Sequence, residues 1–188
     1  IGSGERSGTW GTATNTNLEL IGEAFGYGTE ALSDASTATI TMADAVSDGV
    51  RSFYLKLTGA LGQNCTVTLA PNTVSKIWII ENATTDSGSS GPYSTIIKQG
   101  SGATVTIPNG KVKVVVTDGG GASGIVYDAF TDLSVAGTLD VAGAITGAST
   151  ISGTTITAST ALVPDASGGA DIGTTSLEWG DVYIADDK

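Results

Sequence analysis

The sequence predicts a mainly β protein in three parts: a short N-terminal helix, an antiparallel β-sandwich or jelly-roll-like module, and an intertwined trimeric shaft of β-prism or β-helix type. Three observations predict it. The 188 residues include 27 Gly, abundant Thr, Ser and Ala, no His and only 14% charged residues, a composition that favours turns and strands over helices. From about residue 37 to residue 118, apolar and polar residues alternate with period two. Beyond residue 131 a different repeat begins, in which aliphatic residues recur at six-residue spacing among Gly, Ala, Ser and Thr.

The first segment, residues 1–32, opens with Gly- and Ser-rich chain and then reads as helix over "NTNLELIGEAF" (15–25). Thr16 and Glu19 have capping-box spacing, so hydroxyl and carboxylate would satisfy free N–H groups of a first turn. Leu18, Ile21 and Phe25 form one stripe, and Gly26 and Gly28 end the helix. So short a helix needs a surface to pack on, and Trp10 is the nearest apolar candidate.

Residues 33–130 form the sandwich-like module. Seven alternating stretches, "TATITM", "RSFYLKLTG", "CTVTLA", "SKIWIIEN", "STIIKQ", "ATVTI" and "KVKVVVTD", are separated by Asp48-Gly49, Pro71-Asn72, the loop "DSGSSGP" (86–92) and Asn109-Gly110. The "PNG" between the last two is the strongest hairpin signal. "IVYDAFTDL" (125–133) reads as one further strand or a linker.

Residues 131–163 carry the repeat. Leu139, Ile145 and Ile151 are six apart, as are Val135 and Val141, and Gly137 and Gly143. Six-residue spacing places side chains on one face of a strand and scatters them around a helix. A solenoid of stacked rungs would have only about four units here, with nothing resembling caps. The aliphatic side chains are too few to offset the entropy of ordering the segment alone. Three identical chains sharing one apolar axis would complete the burial and pair the exposed strand edges. The axis residues would be Val135, Leu139, Val141, Ile145, Ile151 and Ile156. The last segment, 164–188, reads as two short strands around Ala170–Gly173 and Asp181–Ala185.

Charge and composition exclude several functions. The formal charge of −11 argues against nucleic acid, whose phosphates need a basic face. Nine acids against Lys188 alone make residues 119–188 polyanionic, whereas residues 33–118 balance six acids with six bases. No apolar run of about 18 residues is present to insert in a membrane, and no charged-then-apolar leader is read at the start. Cys65, alone in "NCTVTL", reads as a small buried hydrophobe. His-based catalysis is excluded.

Gly119, Gly121 and Gly124 match G-x-G-x-x-G, with Asp140 near a ribose-binding position. A dinucleotide site needs a helix to start there, and "IVYDAF" leans to strand, so a turn or hinge is expected. The acids Asp34, Asp48, Asp86, Asp165 and Asp171 fall in turns, and no pair is gathered for glycosidase chemistry. Asn64-Cys-Thr and Asn82-Ala-Thr fit the glycosylation sequon at the rate a Thr-rich chain produces by chance. "ADDK" lacks the ligand spacing of a calcium loop. Trp78 and Tyr54 would make either core or a sugar-stacking face. No catalytic residue, cofactor or metal site is expected.

Three stretches resemble bacteriophage tail-fibre and virion appendage proteins, in particular those of marine podoviruses. "SGTWGTATNTNLELI" (7–21) is similar to a sequence near the start of many such proteins. "TVTLAPNTVSKIWIIENATT…IIKQGSGATVTIPNGKVKVVVTDGGG" (66–121) is similar to a β-module frequent in them. "LVPDASGGADIGTTSLEWGDVYIAD" (162–186) resembles the segment that ends many fibre shafts, with Leu177, Trp179 and Tyr183 at its usual apolar positions. The intramolecular chaperone domain that follows this segment in the family is not among these residues, nor is an obvious receptor-binding tip.

The resemblance implies a non-enzymatic, elongated homotrimer on the virion that contributes to host attachment. Trp179 and Tyr183 would then close the shaft, and residues 1–32 would begin the trimer or dock it to other tail or capsid proteins. A host surface polysaccharide or receptor is the implied external partner. Two rival expectations are a bacterial carbohydrate-binding or adhesin module, which would be monomeric, and a short polysaccharide-degrading tailspike, which would need an acid pair in a groove.

Overall fold

A computed structural model describes residues 7–88, 90–145, 155 and 157. The chain divides into two units, residues 1–136 and 137–188. The protein is mainly β with one short N-terminal helix, and its sheets are mixed.

In the first unit, helix α1 (Trp10–Ala24) starts five residues before the expected span, directly after Gly8 and Thr9. Gly8 has φ +82°, a left-handed conformation that a helix cannot continue back through. Thr16 and Glu19 are therefore interior to α1, and the expected capping box does not cap it.

The chain then winds through three turns. The first holds β1 (Tyr27–Ala31) and β2 (Thr37–Thr41). The second begins with a single 3-10 turn, η1 (Gly49–Arg51), then β3 (Tyr54–Thr58), β4 (Ala60–Leu61) and β5 (Cys65–Ala70). The third holds β6 (Ser75–Asn82), β7 (Thr85–Asp86) and β8 (Thr95–Lys98). Each strand pairs in parallel with its counterpart one turn later: β1 with β3 and β3 with β6, β2 with β5 and β5 with β8, β4 with β7. Tyr27 thus aligns with Tyr54 and Tyr54 with Ile79.

Antiparallel pairing enters only at the far end. There β9 (Val105–Ile107) adds to β8, and β10 (Val112–Asp118) adds to β6. After η2 (Gly121–Ser123), β11 (Val126–Asp128) adds to β10. The result is a five-stranded sheet, β1-β3-β6-β10-β11, a four-stranded sheet, β2-β5-β8-β9, and the small pair β4-β7.

All seven expected strands are present, joined by β1 within the segment assigned to residues 1–32, by the two-residue strands β4 and β7, and by β11 within "IVYDAFTDL". The antiparallel expectation holds only for β8–β9 and β6–β10–β11. Asn109-Gly110 is a turn with Gly110 at φ +69°, yet it does not close a hairpin: β9 and β10 lie in different sheets. Turn residues announce a change of direction and leave open which sheet the chain enters next.

Alternation along each strand builds the core. On the five-stranded sheet Leu55 aligns with Ile80, and Trp78 with Val115; on the other, Val67 aligns with Ile97 and Ile97 with Val105. All of these are buried. The indole of Trp78 donates to the Val50 carbonyl at 3.0 Å, seating η1 on the core. Gly59, at φ +108°, lets the chain leave β3 against the Leu32 backbone, where a Cβ would collide.

One buried polar side chain ties the coil to its antiparallel end. Asn82 is fully buried; its Nδ2 donates to the carbonyls of Tyr93 (3.1 Å) and Ile107 (3.0 Å), and its Oδ1 accepts from Thr84 Oγ1 (2.7 Å). Replacing it leaves two inward carbonyls unsatisfied. Asn82→Ala is expected to cost about 3 kcal/mol in denaturant unfolding. Thr95 presents the opposite case: its buried Oγ1 has no hydrogen-bond partner among the described residues, and its row neighbours are Cys65 and Ile107. Thr95→Val removes that penalty at nearly constant shape and should raise stability by about 1 kcal/mol in the same measurement.

Candidate functional site

Exposed apolar surface is prominent among the described residues. Within α1 no residue is buried. Trp10, Thr14, Leu18, Ile21 and the C-cap residue Phe25 follow at four-, four-, three- and four-residue steps, one stripe spanning about 80° of the helix surface. Trp10 is 67% and Phe25 79% exposed, and Leu18 and Ile21 are each more than half exposed. The packing residues expected for the N-terminal helix thus lie on its outer side, and Trp10 does not cover the others.

The body holds α1 by its other, half-buried face. Glu23 Oε2 lies 3.5 Å from Arg51 Nε, and Glu23 Oε1 accepts from Ser47 Oγ at 2.8 Å. Arg51 also donates to the Ala43 carbonyl and to that of Val46 (3.2 Å). Asp48 organises this loop by accepting from the Ala43 and Arg51 amides, both at 2.8 Å. A shallow cleft of about 250 Å³ between helix and loop is lined by Thr16, Glu19, Leu20, Glu23 and Ser47. Its ionisable lining groups are the carboxylates of Glu19 and Glu23, and Glu23 is engaged by Ser47 and Arg51.

Within the repeat, Val135 is 45% exposed, and Leu139, Val141 and Ile145 are exposed as well. In the single chain, residues 135–145 follow bends and irregular backbone. The proposed axis residues Ile151 and Ile156, the shaft-end residues Trp179 and Tyr183, and the segment 164–188 lie outside the described residues.

The remaining sequence candidates resolve into structural roles. Gly119, Gly121 and Gly124 belong to the turn between β10 and β11, with Gly119 N–H donating to Gln99 Oε1 at 3.0 Å. Asp118 accepts there from the Gly120 and Ile125 amides, which hold its carboxyl below the usual Asp range. Asp34 accepts from Gly62 N–H and Ser87 Oγ, and Asp86 from the Gly88 and Gly91 amides. These acids organise turns.

Asn82, one of the sequon residues, is buried with both amide hydrogens engaged, so a glycan cannot be attached at that residue once the chain has folded. The Asn64 side chain accepts from Ser94 N–H. Trp78 is core, whereas Tyr54 stacks on Tyr27 with ring centroids 5.5 Å apart and 19° between planes. Its hydroxyl donates to Glu81 Oε2 at 2.9 Å, and burial, aided by that carboxylate, raises its pKa. Cys65 is buried, and burial raises its thiol pKa. Among the described residues, no group of three or more His, Cys, Asp or Glu could hold a metal ion, and no helix is long and apolar enough to cross a membrane.

Arg51 is the residue that sequence reasoning missed. Its only signal was its place three residues after Asp48, at a predicted turn. Arg51→Ala should remove the largely buried partner of Glu23 and loosen α1 by about 2 kcal/mol. Amide exchange over residues 10–24 is expected to accelerate while exchange in β3, β6 and β10 stays unchanged.

A scan against protein-family models, a search of curated proteins and a search of solved structures each find no match for this chain.

Proposed function

We propose that this chain is a non-enzymatic structural component of a phage virion appendage, assembled as a homotrimer and contributing to host attachment. The observation that carries the reading is the outward apolar stripe of α1: four large side chains, Trp10, Leu18, Ile21 and Phe25, are exposed on a 15-residue helix with no buried residue. A helix of that length is marginal in water, and its stability comes from packing an apolar face. The stripe therefore calls for a partner. Exposure of Val135, Leu139, Val141 and Ile145 makes the same demand at the other end of the described chain.

Three copies meet both demands with a single symmetry. Along the shaft, Val135, Leu139, Val141, Ile145, Ile151 and Ile156 face a common axis, with Trp179 and Tyr183 closing it. The N-terminal segment begins the trimer and adjoins other virion proteins. Membership of a virion rests on the resemblance of residues 7–21, 66–121 and 162–186 to phage fibre proteins.

Leu139→Asp brings three carboxylates together on a dry axis, where each would have to be protonated or left unpaired. The variant is expected to sediment as a monomer while keeping the β-rich circular dichroism of residues 27–128; a trimeric variant would refute the shaft. Antibodies against residues 33–130 should decorate a thin projection on intact particles in electron micrographs. Label confined to cell surfaces, on a monomeric protein, would favour the adhesin reading.

A further inference from the structure

Of the six asparagines in the chain, Asn109 alone precedes a glycine; Asn15, Asn17, Asn64, Asn72 and Asn82 precede Thr, Leu, Cys, Thr and Ala. Asparagine is thermolabile because the nitrogen of the following residue can attack its side-chain carbonyl carbon, and glycine leaves that nitrogen unhindered. Asn109-Gly110 lies between β9 and β10, where the chain leaves the four-stranded sheet for the five-stranded one. Gly110 is exposed, with no atom within 4 Å of where a Cβ would stand, so water reaches the pair. The fold nevertheless holds both reacting groups. Gly110 N–H, which carries the attacking nitrogen, donates to the Asn82 carbonyl at 2.8 Å. Asn109 Nδ2, the leaving nitrogen, donates to the Thr84 carbonyl at 2.6 Å and lies 3.3 Å from Thr84 Oγ1. Asn82 and Thr84 are themselves buried, so the pair is anchored to the core.

We propose that Asn109-Gly110 is a deamidation site guarded by Asn82 and Thr84, which turns an opening of this turn into a permanent negative charge. When the turn opens, Gly110 N forms a bond to Asn109 Cγ and the Cγ–Nδ2 bond breaks. The side-chain nitrogen leaves as ammonia, taking the proton of the Gly110 amide. Water then adds to either carbonyl of the resulting succinimide and opens it to an aspartyl or an isoaspartyl residue. Water is the only co-reactant. The chemistry belongs to the single chain and is independent of the trimer reading.

Closing the turn again does not undo the change. An ionised carboxylate only accepts hydrogen bonds, and at position 109 it would face the Thr84 carbonyl to which Nδ2 now donates. Thr84 Oγ1 directs its own hydrogen to Asn82 Oδ1 at 2.7 Å, so it meets the carboxylate with a lone pair as well. The isoaspartyl form also lengthens the main chain by a carbon and draws Gly110 N–H away from the Asn82 carbonyl. The modified turn is therefore looser than the original at the point where the two sheets are joined.

Peptide mapping of the full-length chain after incubation at mildly alkaline pH tests this, with aspartyl and isoaspartyl at position 109 quantified over time. A synthetic peptide of residues 105–113 supplies the unguarded rate. The folded chain should deamidate at least about ten-fold more slowly than the peptide, because attack has to await a local opening. Equal rates in chain and peptide overturn the guard. Asn82→Ala should bring the rate at Asn109 close to that of the peptide, and a folded Asn82→Ala chain that deamidates at the wild-type rate also overturns it. Because that variant is destabilised throughout, Asn109→Asp provides the second arm. Amide exchange at Gly110 and Lys111 should then accelerate about ten-fold while β3 is unchanged, since the turn has lost a buried hydrogen bond. Wild-type exchange in Asn109→Asp overturns the permanent loosening.

Discussion

Stacking of inward side chains from one turn of the chain onto the next holds the module together. Leu55 lies against Ile80, and Val67 against Ile97, because each strand returns in register beside its counterpart a turn earlier. The parallel arrangement follows, as does the need to close the coil. At the far end closure comes from β9, β10 and β11, which turn antiparallel and are tied in by the buried amide of Asn82. At the near end β1 and β2 are edge strands of their sheets, and α1 packs on η1 through the Arg51–Glu23 contact.

The same strands carry more apolar surface than one core can use. Along β6, Trp78 and Ile80 point in while Ile77 and Ile79 point out; along β10, Val115 points in while Val114 and Val116 point out. With the stripe on α1 and the exposed aliphatics of the repeat, three separate apolar surfaces lack cover within the described chain. A strongly acidic protein that leaves uncharged apolar surface open has concentrated its contact potential there. In the proposed trimer the stripe and the exposed aliphatics of the repeat are interface, and the charges stay in solvent.

Local structure was legible in the sequence; connectivity was not. Period-two alternation marked seven strands, because alternate burial is a property of each strand by itself. It could not say that β3 pairs with β1 and β6, since parallel partners lie a full turn away in sequence. Asn109-Gly110 marked a turn correctly, while the sheet entered afterwards depended on Asn82 and the space left beside β6. The stripe Leu18–Ile21–Phe25 was visible from spacing, but its outward orientation was set by Arg51 and Ser47 holding the opposite side of the helix. The outward apolar positions of β6 and β10 escape a reading of "SKIWIIEN" and "KVKVVVTD" as alternating, although "IWII" and "VVV" within them are short apolar runs.

Native mass spectrometry of the intact chain over a wide dilution series addresses most directly whether the stripe and the repeat are buried between copies. One dominant species at three times 18.7 kDa, persisting on dilution, is the expected result. A stable species at 18.7 kDa at every concentration, with α1 still helical, would contradict it, because the stripe would then be content in water.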